Sequence, residues 1–322
     1  MREHILGRPA STVSKDTAIA SGNAPPSRDA VVETGLADKA RAYFALTKPR
    51  IIELLLVTTV PAMIVAQRGW PPLDLIIWTL LGGALAAGGA NAINCYVDRD
   101  IDSIMGRTRR RPLPSHKVRP GNALAFGATL GLLSFGLLWT TVNSVAAALA
   151  LGALLFYVFV YTIALKRTTP QNIVIGGAAG AVPVLVGWSA VTGTIEAPAL
   201  AMFGIIFYWT PPHFWALSMR YEDDYAAAGV PMMPVVYGRT ETTRHILMYS
   251  LLLLAMCLVF FSVARMGFIY LCAALVLNAL FVAGALRLRR DPTTDRAWSL
   301  FRYSISYLAL LFAAMAADQL IA

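Results

Sequence analysis

Charge is what this chain has least of. Only 14% of its 322 residues are Asp, Glu, Lys or Arg, against roughly 25% in an average soluble domain. That scarcity excludes a disordered chain and an ordinary water-soluble one alike. Cysteine is scarce too. Cys95, Cys257 and Cys272 lie in or beside apolar segments without paired or CxxC spacing, so no disulfide framework or zinc site is indicated and small buried hydrophobes are expected. No continuous apolar core follows a basic start, which excludes a secretory signal. What is abundant is apolar: 57% of residues are hydrophobic, gathered into blocks of about 20, enough to cross a bilayer as helices.

Residues 1–45 differ from the rest, with Ser, Ala, Pro and scattered charges of both signs, and read as a disordered cytoplasmic tail. Glu3, Asp16, Asp29, Glu33 and Asp38 argue against a mitochondrial transit peptide and for a bacterial chain. Residues 46–322 then hold about nine apolar stretches of spanning length, near 50–67, 74–96, 122–141, 145–165, 172–191, 198–217, 245–264, 267–286 and 301–320. The net charge of +9 would suggest nucleic acid in a soluble protein. Here the connectors 97–121, 166–171, 218–244 and 287–300 carry 16 Lys and Arg, whereas the intervening ones carry only Arg68 and Arg265. The positive-inside rule places the rich connectors and the N-terminus in the cytoplasm and the C-terminus outside. The expectation is an all-α, multi-pass protein of the bacterial inner membrane, in contact with lipids and with no nucleic-acid partner.

The second span ends in Asn91-Ala-Ile-Asn94-Cys-Tyr-Val-Asp98-Arg-Asp100-Ile-Asp102. Asn94, Asp98 and Asp102 are four apart and would line one helical face. Two carboxylates there repel each other at a membrane boundary. Magnesium removes the conflict, because it takes hard oxygen ligands and bridges carboxylates to phosphates. The bland alternative is that Asp98, Asp100 and Asp102 pair with neighbouring arginines in a solvated loop. Arg107-Thr-Arg109-Arg110-Arg111 follows, supplying forked cations suited to phosphate oxygens or simply setting topology.

A second cluster follows the sixth span, with His213, Trp215, Arg220, Glu222, Asp223 and Asp224. Facing the first, it would let Asp223 and Asp224 join Asn94, Asp98 and Asp102 around metal; a solvated charge run is the competing reading. Lys166, Arg167 and Asn172 open the fifth span, where a cation pair and free N–H groups suit an anion, or where the cations merely anchor the helix. Gly176, Gly177 and Gly180 read as a helix-packing face. His213 is either a structural hydrogen-bonding residue or a catalyst.

Asn94-xxx-Asp98-xxx-Asp102 followed by Met105-Gly-Arg107-Thr108-xx-Arg111-Pro112 resembles the first signature of the UbiA-type intramembrane prenyltransferases, helical bundles that use magnesium and a prenyl diphosphate. Lys166-Arg167-Thr168 leading into Asn172, Thr210-Pro-Pro-His213-Phe-Trp215 and Asp224-Tyr-xxx-Gly229-Val-Pro are similar to the branch of that family that farnesylates heme. His213 and Arg220 stand where many relatives carry Asp, which leaves open which of Glu222, Asp223 and Asp224 binds metal.

The resemblance implies transfer of farnesyl from farnesyl diphosphate to a vinyl group of heme b, with addition of water, for heme-copper oxidase biogenesis. It implies a heme A synthase or an oxidase-assembly protein as partner. It gives Asp98, Asp102 and His213 catalytic roles, with Asn94, Arg107, Arg111, Lys166, Arg167 and Asn172 on the diphosphate and His213 and Trp215 towards heme. Tyr157, Tyr161, Tyr208, Trp209 and Trp215 are available to stabilise an allylic cation by their ring faces. Two alternatives stay open: a relative acting on another aromatic or tetrapyrrole acceptor, and a transporter. The nearly charge-free mid-spans disfavour transport.

Overall fold

In the computed structural model, which describes residues 35–321, every regular element is a helix. In chain order these are α1 (Leu36–Leu46), α2 (Pro49–Gln67), α3 (Leu73–Val97), α4 (Arg99–Ile104) and α5 (Pro120–Thr141). Next come α6 (Ser144–Leu155), which runs on as a π-helix over Phe156–Leu165, α7 (Asn172–Thr192) and α8 (Ala197–Arg220). The last four are α9 (Glu222–Ala227), α10 (Met233–Val263), α11 (Phe268–Arg290) and α12 (Thr294–Ile321). Seven are long and apolar enough to cross a membrane: α3, α5, α6 with its π-helix, α7, α10, α11 and α12. The other two expected spans are also helical. They are α2, whose described apolar part is Val57–Gln67, and α8, which carries Pro211, Pro212 and His213.

Two expectations need adjusting. The tail was expected to stay unstructured through residue 45, but Leu36–Leu46 is helical, and Ala42 and Leu46 bury themselves one turn apart in a cluster with Ala92 and Cys95 of α3. Ala and Leu are strong helix formers, and this pair gives the helix a face to bury. Residues 1–34 lie outside the described residues. The seventh span was expected from residue 245, whereas α10 begins at Met233 and bends at Gly238, where φ is 75°, a conformation that costs glycine little.

Small residues set the packing, as expected where lipid offers no hydrophobic drive between helices. α3 lies on α5, and a methyl at Gly89 would sit 2.7 Å from the Gly127 carbonyl oxygen. α7 packs against α2, α6 and α8, and α8 against α10 and α12. Leu132, Phe159, Val276 and Leu310 stand exposed on the outside of the bundle, the surface expected of a lipid-facing protein. Far along α12, buried Asp318 accepts hydrogen bonds from the N–H groups of Gly267 (2.6 Å) and Tyr270 (3.1 Å). It thereby satisfies free donors at the start of α11.

Candidate active site

The site lies where α3, the π-helix and the connectors after α3 and α8 meet. Asp98 ends α3, and α4 continues the i to i+4 pattern. The Asp98 N–H donates to the Asn94 carbonyl (2.9 Å) and the Asp102 N–H to that of Asp98 (2.8 Å). Asn94, Asp98 and Asp102 are all essentially buried, at 2%, 0% and 2% exposed. Asp100, with a side chain 61% exposed, takes a bidentate pair from Arg167 at 2.7 Å on each oxygen. That hydrogen bond holds its carboxyl down at about 2. The solvated-loop reading therefore describes Asp100 and not its two neighbours.

Asp98 and Asp102 each meet a cation from outside their own helices. Arg111 Nη1 donates to both oxygens of Asp102, at 3.0 and 2.8 Å. Lys166 pairs with Asp98 Oδ2. Asn94 Nδ2 donates to the same oxygen (2.8 Å) and to Thr162 Oγ1 (3.1 Å). Lys48, not identified from the sequence, donates from Nζ to Asn94 Oδ1 at 2.7 Å. Burial pushes its ammonium down to about 8, with Arg111 and Lys166 adding repulsion. Only its place just before Pro49 at a helix start could have marked it.

The π-helix explains the reach of Lys166, whose N–H bonds to the Tyr161 carbonyl five residues back (2.9 Å). Thr162 Oγ1 likewise donates to the Tyr157 carbonyl (2.9 Å). The widened turn brings Tyr157, Tyr161, Thr162 and Lys166 towards α3; such bulges are frequent at functional sites.

The second acidic connector folds against the first. Asp224 Oδ1 accepts from the Gly106 N–H at 3.3 Å. Arg107 Nη2 donates to the Tyr225 hydroxyl (3.1 Å), with its guanidinium over the Tyr221 ring. Glu222 is tied to Arg239 at 2.8 Å, and Asp223 is exposed. Of the three acids, Asp224 is the one the fold brings to the first motif.

Among the described residues two buried acceptors have no hydrogen-bond partner, Asp98 Oδ1 and Asn172 Oδ1. Arg167 stops 3.7 Å from the former. Asn172 Nδ2 is committed to the Thr169 carbonyl (2.7 Å), so its oxygen is the free end. Both are hard oxygens, which suit a magnesium ion; phosphate oxygens, themselves acceptors, suit the cations instead. Among the described residues no three His, Cys, Asp or Glu side chains converge on one point, so further ligands would have to come from amides and phosphates.

Beneath this mouth is an apolar cavity of about 310 Å³, with Ala90, Asn91, Tyr157, Tyr161, Gly176 and Phe214 in its lining. The Tyr157 and Tyr161 rings stand 5.2 Å apart. The other expected aromatics lie elsewhere. Tyr208 packs near Phe207 and Tyr249, and Trp215 is fully buried, edge-on to His245 and Tyr249. His213 faces α12, sandwiched between Trp209 (4.3 Å) and Phe301 (4.7 Å).

The helical bundle thus sets buried carboxylates and cations over an apolar hollow. The chain belongs to the UbiA prenyltransferase family, whose model matches residues 55–312. It is 54% identical over 312 residues to the protoheme IX farnesyltransferase of Parafrankia sp. (strain EAN1pec), covering 94% of this chain and 99% of that one. Its identity to the protoheme IX farnesyltransferase of Frankia alni is 56% over 289 residues, 88% and 99% of the two chains. The fold is similar to that of a digeranylgeranylglyceryl phosphate synthase (TM-score 0.74, 18% identity, 88% of this chain and 100% of that one). It is also similar to a UbiA homolog from Archaeoglobus fulgidus bound to GPP and Mg2+ (TM-score 0.59, 18% identity, 85% and 99%).

Proposed function

We propose that this chain transfers the farnesyl group of farnesyl diphosphate to a vinyl group of heme b, with addition of water, giving heme O and diphosphate. The observation that carries the reading is the buried set of Asn94, Asp98 and Asp102 facing Arg111, Lys48 and Lys166 above the apolar cavity. The likeness to protoheme IX farnesyltransferases at 54–56% identity supports the acceptor.

Asp98 and Asn172, each with a buried oxygen that lacks a partner, would hold Mg2+, and Asp224 on the facing connector would be available to join them. The A. fulgidus homolog holds that ion together with a prenyl diphosphate. When bound, the ion supplies Lewis-acid stabilisation of a departing diphosphate. Arg111, Lys48 and Lys166 would attract the same phosphate oxygens, in a largely buried site where their charges count for more than in water. Bond cleavage leaves an allylic cation in the cavity, where the paired faces of Tyr157 and Tyr161 stabilise it and the apolar walls keep water away. The cation adds to the acceptor's vinyl carbon and water then closes the new cation as a hydroxyl, losing a proton. The excess of Lys and Arg in the connectors at this mouth supports a cytosolic mouth, and the bacterial relatives support an inner-membrane location.

Purified protein in lipid, given farnesyl diphosphate, heme b and magnesium, should yield a heavier heme by mass spectrometry. Asp98→Asn should lower turnover by about 10²-fold or more; its melting temperature should fall because Lys166 loses its partner, so circular dichroism is used to check that the bundle is still folded at the assay temperature. Near-native turnover would remove the metal and diphosphate assignment. Prenylation of 4-hydroxybenzoate with heme left unmodified would move the chain to another acceptor.

A further inference from the structure

His213 belongs to a ladder of rings that runs along the seam of α8 and α12. Trp209 stacks on His213 (4.3 Å, 19°), His213 on Phe301 (4.7 Å, 31°) and Phe301 on Trp298 (5.0 Å, 21°). The guanidinium of Arg220 closes the ladder 4.5 Å over Trp298. Trp209 is buried, His213, Phe301 and Trp298 are half-buried, and Arg220 is exposed, so the ladder climbs from the core to the surface at the end that carries the acidic motifs.

Ser304 Oγ stands 2.6 Å from the Phe301 carbonyl and 2.6 Å from His213 Nδ1. With the single hydroxyl proton donated to the carbonyl, Ser304 accepts from Nδ1–H and Nε2 presents a lone pair; this is the tautomer that a ligand on Nε2 selects. Trp209 Nε1 donates to the Ser304 carbonyl (2.9 Å) and locks the same corner. Among the described residues Nε2 has no partner, it is not one of the enclosed unsatisfied atoms, and Arg220 has no acidic partner. A helix clamp alone explains the stacking; it does not explain a ring nitrogen with no protein partner at one point and a cation with no acidic partner two turns along the same face.

We propose that this seam is the tetrapyrrole site, with His213 Nε2 as axial ligand to the iron and Arg220 as the partner of a propionate; this rests on the heme reading above. A ligand to Nε2 lies in the imidazole plane, so the macrocycle lies across the edges of His213, Phe301 and Trp298. Ser304 acts as the positioning residue that holds the ligating tautomer. His213 and Arg220 are seven residues apart, about 10 Å along a helix, comparable with the reach from a porphyrin's centre to its carboxylates. The propionates then sit at the polar end and the vinyl edge points inward, towards the level at which Thr210 lines the cavity.

The test is a titration of the full chain in nanodiscs with ferric protoporphyrin IX, followed by Soret absorbance and low-temperature electron paramagnetic resonance. The native chain should show a histidine-ligated spectrum and bind the iron form more tightly than metal-free protoporphyrin. His213→Gly should lose that spectrum and weaken binding by about tenfold or more, and added imidazole should restore it. Arg220→Gln should weaken the free acid by about two- to fivefold and leave the dimethyl ester unchanged. Pyrophosphate binding by each variant reports that the bundle is intact. An unchanged spectrum in His213→Gly, or equal affinity of the native chain for iron and metal-free porphyrin, overturns the assignment even if farnesylated heme is formed. A His213-dependent spectrum without turnover would uphold the site and sink the reaction.

Discussion

Lys48 is a charged group in an environment that resists its charge. Its ammonium is held at about 8, well below an ordinary lysine near 10.4, so the folded chain carries it charged only below that pH. An anion beside it favours the protonated form, and binding of pyrophosphate should therefore weaken as pH rises through 8, by up to about tenfold per pH unit. The stability sign is opposite. Because the fold disfavours the charged form, the chain gains stability between about 8 and the unfolded value. Calorimetric titration of pyrophosphate against pH should show the fall in the native chain and a flatter profile in Lys48→Met, the ligand's own titration being common to both. A profile identical in the two would remove Lys48 from the site. That Asn94, Asp98 and Asp102 share a face was legible from spacing because the four-residue repeat survives the break at residue 98, and Arg111 stood out only as a member of the basic run that follows. Lys48 was not, since its partner lies 46 residues away and a topological lysine looks the same in sequence.

The π-helix is the element that was least legible. Phe156–Leu165 is uniformly apolar, and periodicity read it as the end of an ordinary span. Only the i to i+5 bonds reveal why Tyr161 and Lys166 point to α3. Gly176 shows the complement on the facing helix. It was read as a packing residue, and it is one, but its neighbour is the Tyr161 ring, which a methyl at that position would overlap. Alanine at a helical glycine is ordinarily worth about 0.5–1 kcal/mol of stability, whereas overpacking costs about 1–3 kcal/mol. The clash should win, because the ring is held between Tyr157 and the cavity wall. Gly176→Ala should lower the melting temperature in detergent and shift Tyr161 into the cavity, cutting turnover more than pyrophosphate binding. A melting temperature above the native value would show that the ring yields freely.

At the scale of the whole molecule, hydropathy accounts for seven crossings and contacts argue for two more. Lys48, at the start of α2, touches Asn94 near the end of α3 at 2.7 Å. Both ends of that helix pair therefore lie at one membrane face, and since α3 crosses, α2 must cross as well. Gly106, beyond α4, meets Asp224, beyond α8, at 3.3 Å. An even number of crossings separates them, and with α5, α6 and α7 spanning, α8 is the fourth. Thr210, Pro211 and Pro212 lower the apolarity of α8 without taking it out of the bilayer, because it is covered by α7, α10 and α12. The same parity sorts the connectors into the two sets whose Lys and Arg counts differ, 16 against 2; the contacts fix which connectors share a side, and the positive-inside rule leads us to propose that the rich side is the cytoplasm. Single cysteines introduced as Gly69→Cys, Glu196→Cys and Lys117→Cys would test it, in a background with Cys272 replaced and Cys95 and Cys257 buried. A membrane-impermeant maleimide should label the first two in intact cells and the third only after the membrane is opened. Labelling of Gly69→Cys from the same side as Lys117→Cys would mean that α2 turns back at the surface, and the contact between Lys48 and Asn94 would then need another path.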